Sequence, residues 1–166
     1  MLLQVLFFSF SQKGFSQQEL NERIPKNTKL IYVLDSVQIA NDKISKIVPT
    51  DIATVIVVKG KTATDLLGSK AKDGIVYIET KKFARNRYWS FLKTKSENYA
   101  IVLPNPEKDN LIQYILNGRI LNKDYEGELS RINDSNFQKI EIIPKDTLLK
   151  RYGIYRKQFG VEIHTK

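Results

Sequence analysis

One histidine, His164, and no cysteine occur in a chain of 166 residues. Without a thiol, disulfides, thiolate nucleophiles and cysteine-held metals are excluded together. A single imidazole assembles neither a Ser-His-Asp triad nor a histidine metal centre by itself, because each needs partners that only the fold can bring close. His164 is therefore read as a surface or edge-strand residue. Asp51 with Asp65, and Glu126 with Glu128, are the carboxylate pairs to test for acid–base chemistry. Nothing apolar around them suggests the raised pKa that a general acid needs, so capping and solvation account for them. Gly60-Lys61-Thr62 stands between a hydrophobic stretch and a helical one, as a phosphate loop does. That motif also asks for a glycine five positions earlier, where Val55 stands and denies phosphate a bare backbone. Residues 83–95 mix Lys and Arg with Tyr88, Trp89 and Phe91, a texture shared with single-strand nucleic-acid binders. Clustered aromatics at helical spacing are read here as packing. No catalytic, cofactor-binding or metal-ligating residue is assigned, and the expectation is a protein that is not an enzyme and carries no cofactor.

The formal charge of +9 favours anionic partners, among which nucleic acid, anionic lipid and acidic polysaccharide are alike to charge alone. Basic residues are scattered without a run of five, as on a solvated surface.

The elements that would position these groups are repeated. At an offset of 85, residues 52–81 fall on 137–166 with seven identities: Thr62/Thr147, Gly68/Gly153, Lys72/Lys157, Val76/Val161, Ile78/Ile163, Thr80/Thr165 and Lys81/Lys166. After a three-residue shift, Tyr32-Val33-Leu34-Asp35 meets Tyr114-Ile115-Leu116-Asn117. A duplication follows, and it fixes the architecture. In the first copy β-branched runs predict strands at 29–34, 52–58 and 75–80. Thr62-Ala63-Thr64-Asp65 has the form of a capping box opening a helix that Gly68 ends, and Asp73-Gly74 turns the chain into the third strand. The second copy predicts strands at 112–116, 139–143 and 161–165 and a helix at 146–152 stopped by Gly153. Between them Ala84, Tyr88, Phe91, Leu92 and Lys95 share one helical face, and Pro104-Asn105-Pro106 reads as a linker. The predicted fold class is α+β, two β-β-α-β units of three or four strands joined by an amphipathic helix.

Residues 1–10 are dominated by Leu, Val and Phe and are followed by small and polar residues, with Gly14 and Ser16 spaced for cleavage between Ser16 and Gln17. The expectation is a signal peptide over 1–16, a first unit over 17–83, helix and linker over 84–109 and a second unit over 110–166. No cysteine follows the apolar run, so a lipoprotein anchor is excluded. Removing 1–16 takes away only Lys13 and leaves 26 basic against 18 acidic residues.

The first copy also carries an ordered set of motifs. Tyr32-Val33-Leu34-Asp35 is followed by Pro49-Thr50-Asp51-Ile52, by Val55-Ile56-Val57-Val58, and by Leu67-Gly68 with Gly74-Ile75-Val76-Tyr77-Ile78-Glu79-Thr80-Lys81. In order and spacing this resembles the plug domain of TonB-dependent outer-membrane receptors, of the starch-utilisation type above all. Ser36 stands where that family has Gly and Leu67 where it has Tyr, although Tyr152-Gly153 restores the pair in the second copy. The resemblance implies a plug-like fold in the periplasm, in association with the outer membrane, acting on a protein partner or envelope surface. It does not imply transport, since a receptor continues from its plug into a long barrel and this sequence ends at Lys166. The alternative reading is a basic α+β binder of single-stranded nucleic acid.

Overall fold

A computed structural model describes residues 29–166; the expected leader and its cleavage site lie outside the described residues. The fold is α+β, and the described residues divide after Lys81 into two compact units. Among the described residues no helix is long and apolar enough to cross a membrane.

In the first unit, β1 (Ile31–Leu34) turns back into β2 (Val37–Ile39) through Asp35 and Ser36, whose φ angles are 49° and 71°. Two successive left-handed residues make the tight hairpin turn whose twist suits antiparallel strands. Two 3-10 segments, Asn41–Lys46 and Pro49–Asp51, carry the chain to β3 (Ile52–Val58). Helix α1 (Gly60–Leu67) then leads to β4 (Ile75–Thr80). The sheet order is β2-β1-β4-β3, with β4 parallel to β1 and antiparallel to β3. One face packs Leu30, Tyr32, Ile52, Val76 and Ile78 against Ile44 and Ile47 of the 3-10 segment and its exit. The other packs Ile31 and Ile75 against Ala63 and Ala71.

The second unit opens with α2 (Lys81–Lys95) and α3 (Glu97–Val102), followed by a 3-10 segment Pro106–Leu111. Then come β5 (Ile112–Leu116), β6 (Arg119–Ile120), α4 (Glu126–Leu129), β7 (Phe137–Pro144), α5 (Lys145–Tyr152) and β8 (Phe159–Thr165). The order β6-β5-β8-β7 repeats that of the first unit, strand for strand and sense for sense.

The duplication extends to detail. Asp35 accepts from the backbone N–H of Thr80 and from its hydroxyl, both at 2.8 Å. At the matching place Asn117 accepts from the N–H of Thr165 and donates to its hydroxyl, both at 2.9 Å. The register of β3 on β4 slips between Ile52 and Thr54, and that of β7 on β8 between Phe137 and Lys139, the same position 85 residues on. Side-chain volume is exchanged across the helix–sheet contact. Ala63 of α1 faces Ile75 in the first unit; the matching pair is Leu148 of α5 and Gly160 of β8.

Several expectations need correction. Thr62 caps nothing: the residue before α1 is Lys59, with no side-chain cap, because Gly60 at φ 62° turns the strand straight into the helix. Asp65 pairs instead with Lys61 one turn back, at 2.7 Å and exposed. Gly68 does have positive φ but an extended ψ of −164°, and the chain continues as a 3-10 turn to Ala71; only Gly153 is a left-handed cap. The segment 104–106 is no bare linker, since Asn105 accepts from the Glu107 N–H and caps the next turn. Helix α2 packs Tyr88 and Leu92 into the second unit's own core.

The volume exchange makes a prediction. A Cβ on Gly160 would lie 2.8 Å from Leu148 Cδ1 and 3.1 Å from Ile143 Cβ. Gly160→Ala is expected to cost about 1–3 kcal/mol, and the same change made on Leu148→Ala is expected to cost less, because the truncated helix residue relieves the closer of the two contacts and leaves only that with Ile143. A double-mutant cycle in urea, read by fluorescence of the single tryptophan, Trp89, checks the coupling.

Candidate functional site

Two polar clusters of the second unit gather groups that could do chemistry. The first lies under α2. Tyr88 donates to Asp109 Oδ2 at 2.7 Å, and Tyr125 donates to the same oxygen at 3.4 Å. Arg85 Nε stands 3.1 Å from that oxygen, close enough for charge attraction but outside hydrogen-bond geometry. Arg85 Nη2 donates to Glu126 Oε1 at 2.9 Å. Beyond them the Tyr99 and Tyr114 hydroxyls meet at 2.9 Å, and Tyr114 takes Tyr88 edge-on and lies tilted against Tyr125. Burial pushes all four phenols upward, and the Asp109 charge adds to the rise for each. Burial alone would lower the Arg85 guanidinium, but Asp109, Tyr88 and Glu126 outweigh it and hold the group charged. Phenols held so far above neutrality donate and do not ionise, so this arrangement is a fixed clamp rather than a proton relay.

The second cluster lies on β7 and β8. Glu141 and Glu162 are directly opposite in the antiparallel register, and His164 is two residues along β8 on the same face. Helix α5 is eight residues long and sets Leu148 over Gly160, beside Ile143. Its last turn brings Tyr152, which donates to Glu162 Oε1 at 3.2 Å. His164 Nε2 is 3.7 Å from the same oxygen. The other oxygen, Oε2, is buried without a hydrogen bond, and Arg151 Nη2 approaches it only to 3.5 Å. Lys139 donates to Glu141 at 2.5 Å, and that bond and its charge hold the Glu141 carboxyl below the ordinary range. Burial, with Glu162 adding to it, raises the Tyr152 phenol.

At the matching places of the first unit the residues are Ile56, Leu66, Leu67, Tyr77 and Glu79, for Glu141, Arg151, Tyr152, Glu162 and His164. Ile56 and Leu66 are exposed there, as is Val57 on the other side of the same strand. Among the described residues β3 is an edge strand with β4 as its one neighbour, and it contains no charged residue. The equivalent edge, β7, carries Lys139, Glu141 and Pro144.

The sequence-chosen residues are thus sorted. Asp51 is exposed at the end of its 3-10 segment and far in sequence from Asp65, which pairs with Lys61. Glu126 is not solvated; it is buried on Arg85, while Glu128 pairs with Arg119. His164 is on an inner strand, not an edge. Trp89 donates to the Leu103 carbonyl at 2.8 Å and lies under Lys93, and Lys95 sits over Phe91. Sequence reasoning missed Glu141 and Glu162 altogether; their alternation with apolar residues in Lys139-Ile140-Glu141-Ile142 and Val161-Glu162-Ile163-His164 is the signal that places all three on one face.

No family model matches the chain, and no curated protein or solved structure matches it.

Arg85 is the testable part of the clamp. Arg85→Met is expected to cost about 3–5 kcal/mol, because Asp109 and Glu126 would remain buried without a cation. Neutralising both acids in the same chain, Asp109→Asn with Glu126→Gln, is expected to restore most of that loss. Urea melts followed at Trp89 measure both.

Proposed function

We propose that this protein is a non-catalytic interaction module of the cell envelope, plug-like in fold, exported to the periplasm and held to its partner by strand addition along β3. The observation that carries the reading is the contrast between two equivalent edges. Edge strands expose a row of backbone donors and acceptors, and proteins blunt them with charges and proline. β7 is blunted in this way with Lys139, Glu141 and Pro144, whereas β3 presents Ile56 and Val57 to solvent without a charge. An extended segment adding to such an edge gains main-chain hydrogen bonds and side-chain contacts at alternate positions. Lys59 next to the strand and the overall charge of +9 favour a segment that is acidic as well as apolar. Leu66 on α1 is a further exposed apolar residue of the same unit.

The basic surplus alone would also suit single-stranded nucleic acid. That reading needs uncovered aromatic faces for bases to stack on. In α2, Tyr88 is buried and Trp89 and Phe91 lie under lysine side chains, which argues for the envelope reading.

A photocrosslinker in place of Ile56 is expected to capture an envelope protein in a Gram-negative host, and one in place of Glu141 to capture none. Ile56→Lys with Val57→Lys is expected to reduce co-purification of that protein at least tenfold with the circular dichroism spectrum unchanged. Equal capture from both positions, or a sequence-specific gel shift of single-stranded DNA or RNA at near-physiological salt, would overturn the proposal. Export has its own measurement. Intact mass is expected to show a chain beginning at Gln17, and a cytosolic product that keeps residues 1–16 counts against the envelope assignment.

A further inference from the structure

Among the described residues, Glu141, Glu162 and His164 are the one group of three whose donor atoms lie close enough to share an ion, all within 4.8 Å of one another. From their arrangement we infer that the second unit binds a divalent first-row transition metal, zinc above all, through one carboxylate oxygen of each Glu and one imidazole nitrogen.

Four observations lead there. Two carboxylates directly opposite on neighbouring strands repel each other unless a cation lies between them. The duplication did not demand this pair, since the first unit has Ile56 opposite Tyr77 at the same register. Glu162 is 4% exposed, and its Oε2 is buried without a hydrogen bond. Arg151 Nη2 answers that oxygen only at 3.5 Å, so the buried carboxylate is one hydrogen-bond donor short, a deficit that a metal ion bound to the group would offset. Finally, the donors are nearly spaced for an ion. Ligand atoms on tetrahedral zinc stand about 3.4 Å apart, given bonds of about 2.0–2.1 Å. His164 Nε2 and Glu162 Oε1 are already 3.7 Å apart, and Glu141 is an exposed side chain with freedom to close the remaining gap. Imidazole with carboxylates suits zinc and its neighbours, whereas magnesium and calcium prefer oxygen alone.

Two cations of the protein itself now stand around these carboxylates. Arg151 is 3.5 Å from Glu162 Oε2 on a half-exposed side chain, and Lys139 holds Glu141. Both must give way when a metal enters, so they set its affinity. Arg151 is the weaker hold, because it lacks hydrogen-bond geometry to the oxygen it faces. Three protein donors leave a tetrahedral ion with one open position.

The full chain should be titrated with Zn2+ alone by calorimetry and with Co2+ by visible absorption. His164 is the only histidine in the chain, so a single imidazole signal in the nitrogen-correlated NMR spectrum reports the ligand directly. The expected result is one equivalent bound, a shift of that imidazole signal, and intense cobalt bands of a four-coordinate site. Glu162→Gln and His164→Gln are each expected to weaken binding at least tenfold, and Arg151→Gln to tighten it at least threefold. Should Glu162→Gln not fold, Glu141→Gln on the exposed strand serves in its place. A wild-type chain with no saturable zinc signal, or binding that is unchanged in His164→Gln, would overturn the inference.

Discussion

In each unit the first strand lies parallel to the last, β1 beside β4 and β5 beside β8, and the rest of the architecture answers to that pairing. Parallel neighbours cannot be joined by a hairpin, so everything between them must cross over and return. The return brings an antiparallel edge strand and a helix with it. It also places the last strand inside the sheet, where β8 is buried on both faces at Gly160, Val161, Glu162 and Ile163. Two faces must then be covered. One receives the short helix; the other receives the 3-10 segment in the first unit and α2 with α3 in the second. The clasp from the hairpin turn to the end of the last strand, Asp35 to Thr80 and Asn117 to Thr165, pins the parallel pair where its ladder stops.

With one scaffold used twice, the two copies differ mainly where the scaffold leaves a choice. Exchange of Ala63 and Ile75 for Leu148 and Gly160 moves the bulk at the helix contact from sheet to helix, with one side-chain carbon fewer in the second copy. Beyond the helix end the choice is chemical: apolar Ile56, Leu66 and Tyr77 in one copy, ionisable Glu141, Arg151 and Glu162 in the other. The large cover over the second sheet has a polar interior of its own. Asp109 is buried, and Arg85 and Tyr88 from α2 and Tyr125 from the start of α4 converge on it from two segments distant in the chain.

The repeat was legible because its identities fall where the backbone tolerates little. Val76/Val161 and Ile78/Ile163 are core positions of the inner strand, Thr80/Thr165 is the clasp, and Gly68/Gly153 takes positive φ in both copies. The strands and α2 followed from β-branched runs and from helical spacing, to within a residue or two at most ends. Thr62 misled because a capping pattern says nothing of the residue before it, and Gly60 had already turned the chain. Glu141, Glu162 and His164 meet only through antiparallel register across β7 and β8, and Asp109 meets Tyr88 only through tertiary packing. Local pattern carries no term for either. The charges of Glu126 and Arg85 looked solvated for the same reason: the sequence displays each charge without the partner that lets it be buried.

The clasp of the second unit can acquire by slow chemistry the carboxylate that the first has in its sequence. Asn117 precedes Gly118, the pairing in which a side-chain amide is most readily lost with time, because a glycine offers no bulk to hinder attack by its backbone nitrogen. That attack expels ammonia and closes a cyclic imide, which water opens to isoaspartate or, in the smaller share, to aspartate; the aspartate product would lose the donor to the Thr165 hydroxyl and offer an acceptor in its place. A threonine hydroxyl can turn to give what it formerly received, as that of Thr80 does toward Asp35. Ageing at this turn therefore changes the charge of the unit in either product, and in the aspartate product it reverses one hydrogen bond and reaches a clasp that the same chain already holds at Asp35 and Thr80.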